Sequence, residues 1–85
     1  MTRIKVREVR TGLHPSEVVV EVRTASGDVE KVVVDRRSIQ NGSLAIGYPV
    51  AQKDDQFLVE LPRESVRGAW RVWVSRETLA EEVAA

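Results

Sequence analysis

The residues able to do chemistry are few and scattered. His14 is the one histidine, and it stands beside Pro15 in a predicted loop, where an imidazole is ordinarily just solvated. The chain has no cysteine, which excludes disulfides, a thiolate nucleophile and thiolate metal sites. Ser16, Ser26, Ser38, Ser43, Ser65 and Ser75 fall at turns, caps or strand ends, and none has a base beside it in the sequence. Asp54 and Asp55 form a carboxylate pair, but in a predicted turn, where aspartates bond their own backbone. Carboxylates without a second kind of ligand make a weak cation site. Gly12, Gly27, Gly42, Gly47 and Gly68 are dispersed, so no glycine-rich phosphate loop exists. The expectation is a protein with no catalytic activity, cofactor, metal or small-molecule substrate. Asp54, Asp55 and Glu60 are the carboxylates whose convergence in a pocket would count against it.

Residues suited to binding are easier to find. Trp70 and Trp73 are three apart in a predicted strand, so they face opposite sides. With Trp70 in the core, Trp73 lies outside beside Arg71, and Trp and Arg are the residues enriched at interface hot spots. Val19 and Val33 belong to the outer faces of two other strands and would extend an apolar exterior patch. This pattern predicts a non-enzymatic binding module that meets a protein partner or a second copy of itself as a homodimer. The simpler alternative has the C-terminal segment, through Leu79 and Val83, folded over Trp73. A rival reading is single-stranded nucleic-acid binding by a small barrel, with Trp73 as a stacking platform and Arg67, Arg71 and Arg36 on the phosphates. Against it stand a zero net charge, 13 basic residues balancing 13 acidic, and an aromatic content of only 5%.

At 85 residues the chain is read as a single domain, 1–85. Stability of a domain this size is roughly 4–13 kcal/mol, which leaves little room for a deep internal active site. With 42% hydrophobic and 31% charged residues, the composition is that of a folded chain. Arg3, Lys5, Arg7 and Arg10 make the first strand basic, and Glu77, Glu81 and Glu82 make the tail acidic. No apolar run approaches the roughly 20 residues needed to span a bilayer, and the N-terminus lacks a signal peptide. The default expectation is a cytoplasmic protein with no membrane contact.

The dominant pattern is period two. Ile4 and Val6 alternate with charged residues, and Val9 breaks the phase, predicting a bulge or a strand end near Glu8. Val18, Val20 and Val22 share one face of a strand over 17–24. After the turn Ala25-Ser26-Gly27-Asp28, Val32 and Val34 share one face of a strand over 29–35, completing an antiparallel hairpin. Asn41-Gly42 is the strongest local signal, a type I′ turn. Leu44, Ile46, Tyr48 and Val50 keep one phase, and Pro49 ends that strand or puts it at an edge. Gln52 to Gln56 reads as a polar turn. Phe57, Val59 and Leu61 form the next inward face, then Trp70, Val72 and Val74 in a strand over 69–75. At the tail, either Ser75 caps a short helix or Arg76 to Thr78 makes one 3₁₀ turn before a short closing strand. No internal repeat is evident.

Short valine-rich strands with tight turns predict an all-β fold of five or six antiparallel strands, a small barrel. The stretch from Gly68 to Val83 — a strand, one 3₁₀ turn and a short last strand — resembles the end of SH3-like barrels. The resemblance implies a fold and no function. One SH3-like family, the type II dihydrofolate reductases, has a Val-Gln-Ile-Tyr run in the corresponding region. Here that region reads Val72-Trp73-Val74, so that activity is not expected.

Overall fold

In the computed structural model, which describes residues 2–80, the chain is all-β. Nine short strands run in order: β1 (Thr2–Lys5), β2 (Arg7–Thr11), β3 (Glu17–Arg23), β4 (Val29–Asp35), β5 (Ile39–Gln40), β6 (Ser43–Ile46), β7 (Ala51–Lys53), β8 (Gln56–Glu60) and β9 (Arg71–Ser75). They form three antiparallel sheets of order β1-β6-β5, β2-β3-β4 and β7-β8-β9, with no closed barrel among the described residues. Single 3₁₀ turns, Arg36–Ser38 and Arg76–Thr78, follow β4 and β9.

Most of the alternation appears as read. Ile4, Val18, Val20, Val22, Val32, Val34, Leu44, Ile46, Val59, Leu61, Val72 and Val74 form one buried cluster, with Val6, Phe57, Ile39, Ala69 and Leu79 packed against it. The register of β2 on β3 slips between Glu8 and Arg10, the expected bulge. Asn41 and Gly42 both have positive φ, 51° and 74°, as a type I′ hairpin demands. The C-terminal alternatives resolve to the 3₁₀ turn, after which Leu79 bridges Ile4. Leu79 therefore packs on β1 rather than on Trp73, and Val83 lies outside the described residues.

Three readings are corrected. Trp70 is 58% exposed, not core. The named strands pair as far as Glu60↔Arg71, with one further bond from the Leu61 N–H to Trp70 O at 2.8 Å, and the connection between them turns toward β4, leaving Trp70 at the last rung of the ladder with its side chain exposed. Tyr48 and Val50 are exposed because β6 ends at Ile46, so their phase no longer reads onto a buried face. Strand β7, Ala51–Lys53, runs into the predicted polar turn and β8 begins at Gln56, so the turn shrinks to Asp54-Asp55, with Asp54 at φ 54°.

The pairing also reveals a duplication that the sequence reading missed. Glu17-Val18-Val19-Val20-Glu21-Val22 matches Gln56-Phe57-Leu58-Val59-Glu60-Leu61, and Lys31 to Ile39 matches Arg71 to Leu79 position by position. The ladders agree: Val18↔Val34, Val19↔Val33 and Glu21↔Lys31 in the first half, Phe57↔Val74, Leu58↔Trp73 and Glu60↔Arg71 in the second. The N–H of Arg36 donates to Ser16 O, and that of Arg76 to Asp55 O. Ile39 pairs with Leu44, and Leu79 with Ile4. Ile4 and Leu44 occupy equivalent places and face each other in the β1–β6 ladder, the pattern that a two-fold axis between them generates. Few positions are identical, valines recur throughout and the hairpin connections differ in length, so the residues alone do not display the repeat.

Candidate interaction surface

Residues 71, 73 and 75 of β9 and 56, 58 and 60 of β8 point away from the core, since Val72, Val74 and Val59 point into it. Trp73 sits directly opposite Leu58 on this outer face, and Leu58 is opposite Ala51 on β7. Trp73 and Leu58 are half-buried. Beside them Arg71 Nη2 meets Glu60 Oε2 at 3.0 Å. The turn between β3 and β4 reaches this sheet, where the Ala25 N–H donates to Trp73 O at 2.7 Å. Between turn and sheet lies a hollow of about 380 Å³, with Ser26, Glu30, Arg71 and Trp73 among its walls.

The other site residues read from the sequence are dispersed. Arg67 is a clamp: its Nη2 donates to Glu30 Oε2 at 2.6 Å, while Ser65 Oγ donates to Glu30 Oε1 at 2.8 Å. Glu30 is buried, and these two hydrogen bonds, Arg67 first, hold its carboxyl below the usual range despite the opposing effect of burial. Arg36 pairs with Glu8 at 3.3 Å. Val19 and Val33 do face each other on the outside of β3 and β4, but beside a different hollow, of about 550 Å³, together with Arg10 and Arg63. Val19 is only 3% exposed, which corrects its reading as part of an open patch. The β2–β3 connection and the Arg10 and Arg63 side chains surround it; in the second half the equivalent connection is the tight Asp54-Asp55 turn, and Ala51 stands across from Leu58.

The sequence reading missed Glu30 as a buried anion. Its inward phase beside Val32 and Val34 was legible, but its partners are 35 and 37 residues away. It also missed that Trp70 is the more exposed tryptophan. Asp54, Asp55 and Glu60 do not converge on a pocket: Asp55 pairs with Arg76 at 3.6 Å, and Glu60 with Arg71. Arg76 also lies over the Phe57 ring, 5.4 Å from its centroid. Among the described residues no group of three potential metal ligands occurs, and no helix is long and apolar enough to cross a membrane. No protein-family model matches this chain, and no curated protein or solved structure shows significant similarity to it.

Proposed function

We propose that this chain is a non-enzymatic, cytoplasmic binding module that works through the outer face of β7-β8-β9, with a second copy of itself as the partner. The observation that supports the reading is the Leu58–Trp73 pair, both half-buried on this outer face, whereas in its counterpart Val19–Val33 the Val19 side chain is buried beneath the longer β2–β3 connection. Burying apolar surface is favourable by about 25 cal/mol per Å², and a tryptophan beside a paired arginine suits an interface centre. In the nucleic-acid reading of this same surface, Arg67, Arg71 and Arg36 would bind phosphate, yet each already faces a carboxylate. As to architecture, the Ile4–Leu79 bridge and the Ala80 N–H to Arg3 O bond support a barrel-like closure of SH3 type.

The test is Trp73→Glu, followed by light scattering and circular dichroism. The wild type should have the mass of a dimer, and the variant should be a folded monomer. A wild-type monomer, or a variant that stays dimeric, would refute self-association through this face.

A further inference from the structure

The duplication supplies an internal control for the opposite face, that of β2-β3-β4. Cross-strand partners share a face, so Arg10, Val19 and Val33 form one outward row, Arg7, Glu21 and Lys31 the next, and Arg23 and Val29 a third. Arg7 and Arg10 are three apart and would point to opposite sides of a regular strand. The bulge between Glu8 and Arg10 is what brings both to the same side. Arg7, Arg10, Arg23 and Lys31 are all exposed. No carboxylate among the described residues comes within ion-pairing distance of them, whereas Arg36, Arg37, Arg63, Arg67, Arg71 and Arg76 each have such a partner. Glu21 lies among them, Glu77 shares a hollow with Arg7 and Arg23, and Glu17 and Asp35 form the next row but are paired with Arg63 and Arg37; four cations without an ion pair against Glu21 and Glu77 leave the cluster net positive.

The second half of the fold does without two of these four charges. By the register of the second half, Arg10 corresponds to Ala51 and Lys31 to Arg71, which is paired with Glu60, and along the chain Arg23 corresponds to Pro62. The same scaffold thus presents an aromatic face with its arginine paired in one half and a net cationic one in the other.

We propose that the outer face of β2-β3-β4 binds the phosphate backbone of single-stranded nucleic acid through Arg7, Arg10, Arg23 and Lys31. Three of the four cations are arginines, whose planar fork matches phosphate oxygens. The hollow of about 550 Å³ beside Arg10 is walled by Val19 and Val33 together with His14 and the paired Glu17 and Arg63, a partly apolar recess next to the cations. A single strand can turn a base out into such a recess, which a base-paired duplex cannot do without unpairing. The face is separate from the Trp73 surface and does not depend on the reading given above.

Fluorescence anisotropy with a labelled oligothymidine tests this in the full chain. Binding should weaken with salt along a log–log slope of about −2 to −3, the value for three or four phosphates neutralised on a single strand. Arg7→Ala, Arg10→Ala, Arg23→Ala and Lys31→Ala combined should weaken binding at low salt by at least tenfold and flatten the slope. Lys53→Ala, which removes an exposed cation of β7 outside this face, should leave both nearly unchanged. Should the fourfold variant not fold, Arg23→Gln with Lys31→Gln should halve the slope. No binding by the wild type at low salt, an unchanged slope in the folded variants of this face, or an equal loss of binding in Lys53→Ala would overturn the proposal. So would a poly-glutamate peptide that binds this face where the oligonucleotide does not, since the partner would then be an acidic protein.

Discussion

Glu30 Oε2 lies 2.6 Å from Arg67 Nη2, and this contact helps fasten the 62–70 connection to β4. Ser65 reinforces the attachment, because its hydroxyl donates to Glu30 Oε1 and accepts from the Ala69 N–H. Glu30→Ala leaves the Ser65 hydroxyl without its acceptor and should cost about 1–3 kcal/mol. Arg67→Ala should cost less, because the guanidinium is 65% exposed and the Ser65 bond survives. Urea unfolding of the two variants checks the order; equal losses would contradict it.

The same carboxylate sets an acid limit. Its folded pKa lies below the ordinary 4.5, so ionised Glu30 stabilises the fold at neutral pH. That contribution is fully present above the unfolded value and fades as pH falls from about 4.5 through the lower folded one. Asp35, held down by Arg37, acts in the same direction. Stability of the wild type should therefore drop on acidification, and Glu30→Gln should show a shallower drop across that window. Parallel curves for the two proteins would exclude Glu30 as a source.

Equivalent places in the two halves should respond alike. Ile4 and Leu44 are both fully buried and face each other, so Ile4→Ala and Leu44→Ala should each cost about 2–5 kcal/mol. Ile39→Ala and Leu79→Ala, at the two bridge positions against them, should form a second, milder matched pair. Chemical denaturation measures all four. A costly residue matched with a harmless counterpart would show that the halves do not share one packing scheme.

The tryptophans should divide oppositely to the sequence expectation. Trp70→Ala should cost less than about 1 kcal/mol, as exposed positions do. Trp73→Phe should remove the more buried indole and with it the bluer part of the emission spectrum, leaving Trp70 to emit as a solvated chromophore. A blue-shifted spectrum in Trp73→Phe would mean that Trp70 is covered.

Gly42 has φ 74°, a conformation that side chains resist, and a Cβ placed there would meet nothing within 4 Å. Gly42→Ala should therefore cost about 1 kcal/mol through backbone strain alone. A neutral result in thermal unfolding would show that the β5–β6 hairpin adapts.

The local, periodic features of this protein are legible in its residues. Alternation assigns Val18, Val20 and Val22 to the core because a strand's side chains have period two, and Asn41-Gly42 specifies its hairpin because positive φ is a property of those residues. The broken phase at Val9 locates the bulge for the same reason. Features that depend on distant partners emerge only once the chain is folded. Trp70 keeps the phase of Val72 and its carbonyl still accepts from the Leu61 N–H, yet it stands at the last rung of the ladder, where the connection leaves for β4, so phase no longer means burial. Val19 has an outward phase, yet Arg10 and Arg63 surround its position. Glu30 looks like an ordinary strand glutamate until Ser65 and Arg67 arrive from the far side of the chain. The two-fold pattern is present in the residues but not readable from them, because hydrophobic alternation tolerates many substitutions, and only the matching registers of β3–β4 and β8–β9 show that the two stretches are the same unit.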